Sequence, residues 1–190
     1  MSLTKQAKIL SDSQQRVVLS YIQTKALAER NTLMFLLSFD AALRSKEIAH
    51  LTWEMVTDAQ GNLTDEIRLQ DKASKGRSGG VIPMSKRLRE AFVVHAEGKL
   101  LRGRVMKSAR GNELTSQIVI NYFWLLYREL GYEGCSSHSG RRTAITRWAR
   151  KISACGGGIK EVQHLARHAS LGMTQRYIEL SEDACRRVVG

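Results

Sequence analysis

The segment HLARHASLGMTQRYIEL, residues 164–180, concentrates side chains that can do chemistry. Two histidines, two arginines and a tyrosine lie within fourteen positions. His164 and His168 have the i, i+4 spacing that zinc sites use on a helix. The glutamate general base of a metalloprotease is missing, Arg167 opposes a cation, and no third ligand has motif-like spacing. The sequence therefore predicts no metal site here.

Side chains that can bind an anion stand in three other segments. In HSGRR, His138 and Arg141 are at i, i+3 near the expected start of a helix, where backbone N–H groups also favour an anion. In ALRSKEIAHL, Arg44 stands just ahead of a short helix that carries Glu47. Lys75 lies in the glycine-rich turn ASKGRSGG between two expected strands. Because planar arginine forks match phosphate oxygens, this set indicates phosphate chemistry.

The order and spacing of these residues resemble the catalytic domain of tyrosine recombinases, the phage integrase superfamily. The pattern is A-L-R-x-x-E-I-x-x-L, a lysine in a turn between strands, H-x-x-R, and a histidine followed nine residues later by a tyrosine. The boxes ALRSKEIAHLTW and HSGRRTAITRWA…ARHASLGMTQRYIE carry the resemblance, which extends from Ser11 to Tyr177.

This resemblance implies a role for each residue of the pattern. Tyr177 would be the nucleophile that attacks a DNA phosphodiester, forming a 3′-phosphotyrosyl link and releasing a 5′-hydroxyl. Arg44 and Arg141 would bind the non-bridging oxygens. His138 and His168 would hydrogen-bond the phosphate and assist proton movement at the tyrosine. A tyrosine is unreactive at its ordinary pKa of about 10, so it needs such a cationic surrounding or a base.

The same resemblance assigns supporting roles. Lys75 would protonate the leaving 5′-oxygen, with Lys72 as the alternative for that role, and Glu47 would orient an arginine or a base. Four further basic residues are expected to contact DNA: Lys72, Arg77, Arg142 and Arg167. No metal, ATP or other cofactor is implied, because covalent capture conserves the energy of the phosphodiester bond.

Three positions depart from the usual motifs of the family. The first box usually begins G-L-R, and here it has Ala42 in place of the glycine. The residue before the second arginine is usually apolar, and here it is Gly140, which we expect to loosen that helical turn. The residue before the second histidine is usually glycine, and here it is Arg167, which could crowd or extend the phosphate site. None of the three removes a catalytic side chain.

The elements that must position these residues are mainly helical, since the chain has a single proline. Capping signals at Ser11, with Gln14 in a capping box, and at Thr115 mark two helix starts. Three short apolar or β-branched pieces within residues 52–85 predict a small three-stranded antiparallel sheet. The fold class is thus α+β, mainly α-helical. Helices are predicted over residues 12–29, 28–42, 45–51, 85–97, 115–130, 138–151, 159–169 and 181–189.

Charge indicates the partner. The chain has 30 Lys and Arg against 18 Asp and Glu, a formal net charge of +12. A folded domain this basic most often binds nucleic acid. An anionic membrane is disfavoured, because no long basic amphipathic stretch and no lipidation signal support it. The N-terminus has no signal-peptide core and no apolar run is long enough to span a bilayer, which predicts the cytosol. Three widely spaced cysteines predict free thiols and a reducing compartment, hence a cytoplasmic, nucleoid-associated location.

The sequence therefore predicts a single tyrosine recombinase catalytic domain over residues 1–190, with the N-terminal core-binding domain absent. The expected function is site-specific recombination or integration of double-stranded DNA, as mobile genetic elements use it. The resemblance implies a homo-oligomer, a tetramer, on DNA, with a monomer as the alternative for the free chain. Two other functions stay open: a DNA-binding module of this fold without strand exchange, and a type IB topoisomerase-like enzyme.

Overall fold

The computed structural model describes residues 6–71 and 79–178. Within them the chain forms eight α-helices and two β-strands. In chain order the elements are α1 (Asp12–Gln23), α2 (Ala28–Phe39), α3 (Ser45–His50), β1 (Glu66–Leu69), β2 (Gly80–Pro83), α4 (Lys86–Ala96), α5 (Ser116–Glu129), α6 (Ser139–Lys151), α7 (Ile159–Ala166) and α8 (Leu171–Gln175). Short 3₁₀ segments cover Trp53–Met55 and Ile152–Cys155.

The chain divides into two compact units, with the boundary inside α6 after Ala144. The first unit contains α1 to α5 and both strands. The second contains α7 and α8, which pack on each other. Across the described part of the chain, none of the helices combines the length and the apolar character needed to cross a membrane.

Three helices of the first unit begin at the residues that the sequence indicates. The Ser11 side chain accepts a hydrogen bond from the Gln14 N–H, and the Gln14 side chain returns one to the Ser11 N–H, so the predicted capping box is confirmed. The Ser85 and Thr115 side chains cap α4 and α5 by accepting the backbone N–H groups of Leu88 and Ile118. Each cap satisfies a backbone donor that the first helical turn leaves without an intrahelical partner.

The long helix predicted over residues 12–29 is shorter, because the backbone reverses between α1 and α2. Leu27 has a left-handed conformation with φ 59°, which ends helical continuity before α2 begins at Ala28. α2 then forms the centre of the first unit's core, where Phe35 and Phe39 stack with ring centroids 4.1 Å apart. It packs against α1, α3 and α4.

The sheet is antiparallel as predicted, but the described residues contain two strands and not three. β1 pairs with β2 in a register that sets Glu66 opposite Pro83 and Leu69 opposite Gly80. The expected third strand is replaced by the 3₁₀ segment Trp53–Met55 and single bridges, one of them between Thr57 and Leu63. The Asp58 carboxylate accepts the N–H groups of residues 60 and 62 and closes a tight turn, so little chain remains for a ladder.

The second unit differs from prediction at its helix ends. α7 stops at Ala166, three residues before the predicted end, because Arg167 is left-handed with φ 53°. The short helix α8 was not predicted, since five residues are too few to show a helical period. Gly156, with φ 75°, forms the predicted break before α7. The helix predicted over residues 181–189 lies outside the described residues.

Candidate active site

Arg44 lies at the start of α3, after the loop that leaves α2. Its backbone N–H donates to Glu47 Oε2 at 2.8 Å, and its Nη1 donates to Glu47 Oε1 at 2.7 Å. The Glu47 side chain is completely buried, whereas 26% of the Arg44 side chain is exposed. The carboxylate therefore fixes the guanidinium from the protein interior while part of it reaches solvent. Glu47 therefore contacts one of the arginines that the resemblance assigns to the phosphate.

The second arginine of the pattern contacts the same loop. Arg141 is 4% exposed, and its Nη1 donates to the backbone oxygen of Ala42 at 2.5 Å. Ala42 precedes Arg44 by two residues, so the first unit brings the two predicted phosphate-binding arginines to one short loop. Since 99 residues separate Ala42 from Arg141, only the fold brings them together.

His138 stands immediately before α6, and its side chain is exposed. Its backbone oxygen accepts the Arg142 N–H at 2.9 Å, which makes it part of the first turn of the helix. Ser136 and Ser139 fix this start, because the Ser136 N–H donates to Ser139 Oγ and the His138 N–H donates to Ser136 Oγ. His138 thus lies one helical turn from Arg141, in the place that the i, i+3 spacing predicts.

The second unit joins the remaining two residues of the pattern. The rings of His168 and Tyr177 stack with centroids 5.3 Å apart and planes at 26°. His168 is 6% exposed, and Tyr177 is half-buried. A histidine and a tyrosine nine residues apart in the sequence are thus in direct contact through their rings.

Thr174 organises this pair, and sequence reasoning missed it. The His168 Nδ1 lies 2.9 Å from Thr174 Oγ1, and the Tyr177 N–H donates to the Thr174 backbone oxygen at 2.9 Å. Thr174 is completely buried. Its hydroxyl holds the histidine ring while its carbonyl holds the tyrosine backbone. The available signal was a threonine one helical turn before the tyrosine, which alone is too common to interpret.

The zinc spacing of the two C-terminal histidines does not correspond to a shared helix face. His164 lies within α7 and is exposed, but His168 follows the left-handed residue that ends the helix, so the i, i+4 rule does not apply to it. Among residues 6–71 and 79–178, no group of three or more His, Cys, Asp and Glu side chains is placed to hold a metal ion.

Five predicted residues remain to be placed. Lys72, Lys75 and Arg77 lie outside the described residues, between β1 and β2. Arg142 is half-buried and borders a shallow surface depression formed with residues 6–9. Arg167 is 9% exposed and lies directly beside His168 in the second unit.

The chain is similar to known proteins over most of its length. Residues 8–183 match the family model of the phage integrase family. The chain belongs to the phage integrase family. Tyrosine recombinase XerC of Herpetosiphon aurantiacus is 29% identical over 126 residues, which are 62% of this chain and 39% of that protein.

Solved structures of the family share the fold. The integrase of transposon Tn1549, in complex with a circular intermediate DNA, superposes with a TM-score of 0.76 at 17% identity, covering 98% of this chain and 66% of that one. XerA recombinase superposes with a TM-score of 0.72 at 18% identity, covering 99% of this chain and 64% of the XerA chain. A lambda integrase dimer bound to a COC′ core site superposes with a TM-score of 0.71 at 18% identity, covering 94% of this chain and 61% of the lambda integrase chain. The predicted fold class is confirmed, and the chain spans less than two thirds of the length of these relatives.

Two of the three departures from the integrase motifs fall where the backbone is left-handed. Ala42 has φ 50° and Arg167 has φ 53°. Glycine adopts this conformation without steric cost, whereas another L-residue loses about 1–2 kcal/mol. At Arg167 the turn closes as a Schellman motif, with its N–H donating to His164 and the His168 N–H donating to Gln163. The backbone therefore accounts for the glycine that integrases usually have at both positions.

The third departure was interpreted wrongly from the sequence, because Gly140 tightens the structure. A Cβ at this position would lie 2.1 Å from Ser38 Oγ, 2.7 Å from Ser38 Cβ and 2.8 Å from Phe39 Cδ2. Ser38 and Phe39 end α2 and are completely buried. The absence of a side chain at Gly140 therefore allows the start of α6 to approach α2 closely, next to Arg141.

Proposed function

We propose that this chain is the catalytic part of a site-specific DNA recombinase that cleaves and rejoins DNA through a 3′-phosphotyrosyl intermediate. The stacked pair of His168 and Tyr177 carries the proposal, since it sets the one nucleophile of the motif against a group able to move its proton. The Tyr177 oxygen attacks the phosphorus, the bond to the 5′-oxygen breaks, and that oxygen leaves as a hydroxyl. Reversal by another 5′-hydroxyl rejoins the strand.

The two arginines stabilise the transition state of this transfer. Negative charge develops on the non-bridging oxygens, and fixed guanidinium groups neutralise it without reorganisation during the reaction. Arg44, held by Glu47, and Arg141, held by the Ala42 carbonyl, are fixed in this way. His138, exposed at the start of α6, hydrogen-bonds the same phosphate.

Lys75 supplies the proton that the 5′-oxygen takes as it leaves, and Lys72 is the competing residue for this step. The exchange replaces one phosphoester bond with another, so the proposed reaction consumes no ATP. The two arginines supply the positive charge at the phosphate, so the proposed reaction is independent of a metal ion. Because the number of phosphoester bonds is unchanged, the same residues can catalyse both cleavage and rejoining of the strand.

Double-stranded DNA is the proposed partner, and a homo-oligomer on DNA is the proposed assembly. The net charge of +12 supports DNA binding, as do four basic residues near the motif residues in sequence: Lys72, Arg77, Arg142 and Arg167. Among the structural relatives, XerH recombinase is described bound to its difH substrate, and lambda integrase as a dimer on a core site. Binding through phosphates predicts a steep loss of affinity with rising salt.

Covalent capture on nicked suicide DNA tests the proposal. The substrates are a mixed-sequence library and DNA that flanks the gene, incubated in EDTA and separated on a denaturing gel, with peptide mapping of the adduct. The proposal expects an adduct on Tyr177 that Tyr177→Phe abolishes while the DNA mobility shift persists. Tyr132→Phe, a half-buried tyrosine of the first unit, is the matched control and should retain the adduct.

Either of two results would refute the assignment. The first is an adduct that survives in the Tyr177→Phe variant, since another nucleophile would then be responsible. The second is a chain that shifts DNA but forms no adduct on any substrate, which would favour a binding module without strand exchange. Relaxation of supercoiled DNA without exchange between sites would instead indicate a topoisomerase-like enzyme.

A further inference from the structure

A buried aspartate ends α2, four residues before Arg44. The Asp40 side chain is 1% exposed. Its carboxylate accepts hydrogen bonds from Ser85 Oγ at 2.6 Å, from Arg87 Nε at 2.6 Å and from Arg87 Nη2 at 2.5 Å. Arg87 also donates to Gln15 on α1 at 3.3 Å. Asp40 is thus bound by both arms of an arginine fork and by a hydroxyl.

Helix stability does not account for a carboxylate at this position. The C-terminal end of a helix carries partial negative charge, so an acidic residue there is unfavourable. Burial adds a desolvation cost that a well-packed apolar residue would avoid. Arg87 offsets these costs, and the hydrogen bond to Asp40 in turn raises the pKa of the arginine. The ion pair of Asp40 and Arg87 therefore fixes the relative position of the two segments that it joins, and adds little to the free energy of unfolding.

The pair joins the segment that leads to Arg44 to a second element of the first unit. From Asp40 the chain passes Ala42, whose carbonyl holds Arg141, and reaches Arg44. On the other side, Ser85 caps α4 and lies two residues after the end of β2. The ion pair therefore ties the loop of residues 40–44, here termed the arginine loop, to the junction of β2 and α4.

We propose that Asp40 and Arg87 are positioning residues that hold the arginine loop, so that Arg44 and Arg141 bind one scissile phosphate. This inference rests on the proposed recombinase function. Neither residue touches the phosphate. They act through the loop backbone, in which Ala42 occupies a left-handed conformation that its surroundings must maintain.

Arg87→Gln and Arg89→Gln form a matched pair of variants. Both residues lie on α4 and both bind an aspartate, but Arg89 pairs with Asp65, whose side chain is 86% exposed. Each substitution removes one positive charge, so unspecific weakening of DNA binding is the same in both. Asp40→Asn removes the charge from the other partner. Circular dichroism and thermal melting establish that each variant is folded.

Single-turnover cleavage of suicide DNA is measured beside DNA affinity. Arg87→Gln and Asp40→Asn should slow cleavage about 10- to 100-fold, the scale of a small misplacement of catalytic groups. The DNA affinity of Arg87→Gln should stay equal to that of Arg89→Gln, its charge-matched control. The second substrate carries a methylphosphonate, in which a methyl group replaces one non-bridging oxygen and removes the phosphate's charge. On this neutral substrate most of the difference should disappear, because the arginines have less charge to neutralise.

Two results would overturn the inference. One is a cleavage rate equal to that of Arg89→Gln. The other is an equal loss on both substrates, which indicates general damage to the fold. If a single variant does not fold, the double variant Asp40→Asn/Arg87→Gln, which leaves no buried charge without a counterion, must still show the substrate-dependent loss. Failure of the proposed function itself is distinguishable, since the unmodified chain would then form no adduct on Tyr177.

Discussion

Replacing Gly140 with alanine tests the close approach of α6 to α2. The added Cβ would lie 2.1 Å from Ser38 Oγ, with two further atoms of Ser38 and Phe39 inside 3.0 Å. Both neighbours are completely buried, so they have no solvent space to move into. Overpacking of this kind costs about 1–3 kcal/mol, and the better helix propensity of alanine returns about 1 kcal/mol. We expect the free energy of unfolding to fall by up to about 2 kcal/mol.

Urea denaturation measures this change, and a double-mutant cycle isolates its cause. Ser38→Gly removes two of the three atoms that the new methyl group would meet. The double variant Ser38→Gly/Gly140→Ala should therefore be more stable than the sum of the single effects, by at least about 1 kcal/mol. Gly172→Ala in α8 is the control, because a Cβ there meets nothing within 4 Å; its effect should be neutral or stabilising.

The same substitution has a consequence for the proposed chemistry. If α6 moves away from α2, the bond from Arg141 to the Ala42 carbonyl lengthens, and covalent cleavage of suicide DNA should slow together with the loss of stability. The reasoning is refuted by a Gly140→Ala variant that is as stable as the unmodified chain and shows no coupling to Ser38→Gly.

Three other substitutions give independent tests. Leu27→Asn should raise the free energy of unfolding, measured by urea denaturation, by about 1 kcal/mol, because asparagine tolerates the left-handed conformation better than leucine. A loss of stability would contradict the backbone argument. Burial lowers the pKa of His95 in the folded chain below its ordinary 6.5. As the pH falls below 6.5, His95 is therefore protonated in the unfolded chain before it is protonated in the folded chain. The free energy of unfolding is unaffected by His95 above pH 6.5 and decreases as the pH falls below that value. His95→Gln, with an amide that can still donate to the Val105 carbonyl, should flatten this decline in unfolding free energy, and an unchanged slope would speak against it. Lys75→Ala should slow cleavage of ordinary DNA. It should not slow cleavage of DNA with sulfur in place of the leaving 5′-oxygen, since a thiolate leaves without a proton. The same pattern in Lys72→Ala would assign protonation of the leaving group to Lys72.

Local signals in the sequence predicted the helix starts correctly. Ser11 with Gln14, and Thr115 with its own helix, act over three residues, so the cap and its target are visible together in the chain. The i, i+3 spacing of His138 and Arg141 was informative for the same reason. The end of α7 was not predictable in this way, because nothing local indicates that Arg167 adopts a left-handed conformation.

Long-range contacts escaped sequence reasoning. Asp40 and Arg87 are 47 residues apart, and their pairing depends on how α2 and α4 pack. A signal existed, since an acidic residue after the apolar run LMFLLSF needs a partner if it is buried. The identity of that partner could not be read from spacing. Gly140 was misread for a related reason, because its role depends on Ser38 of another helix.

The arginine loop combines several local costs within five residues. It contains a carboxylate that opposes the helix dipole, a left-handed Ala42 and an arginine bound to a completely buried glutamate. Each of these residues has a contact from a different element: Asp40 with Arg87 of α4, Ala42 with Arg141 of α6, and Arg44 with Glu47 of α3. In the proposed reaction, these contacts fix two guanidinium groups before a phosphate arrives, so little reorganisation is left for the transition state. A loop held from three directions is also one in which loss of any single contact should displace both arginines together.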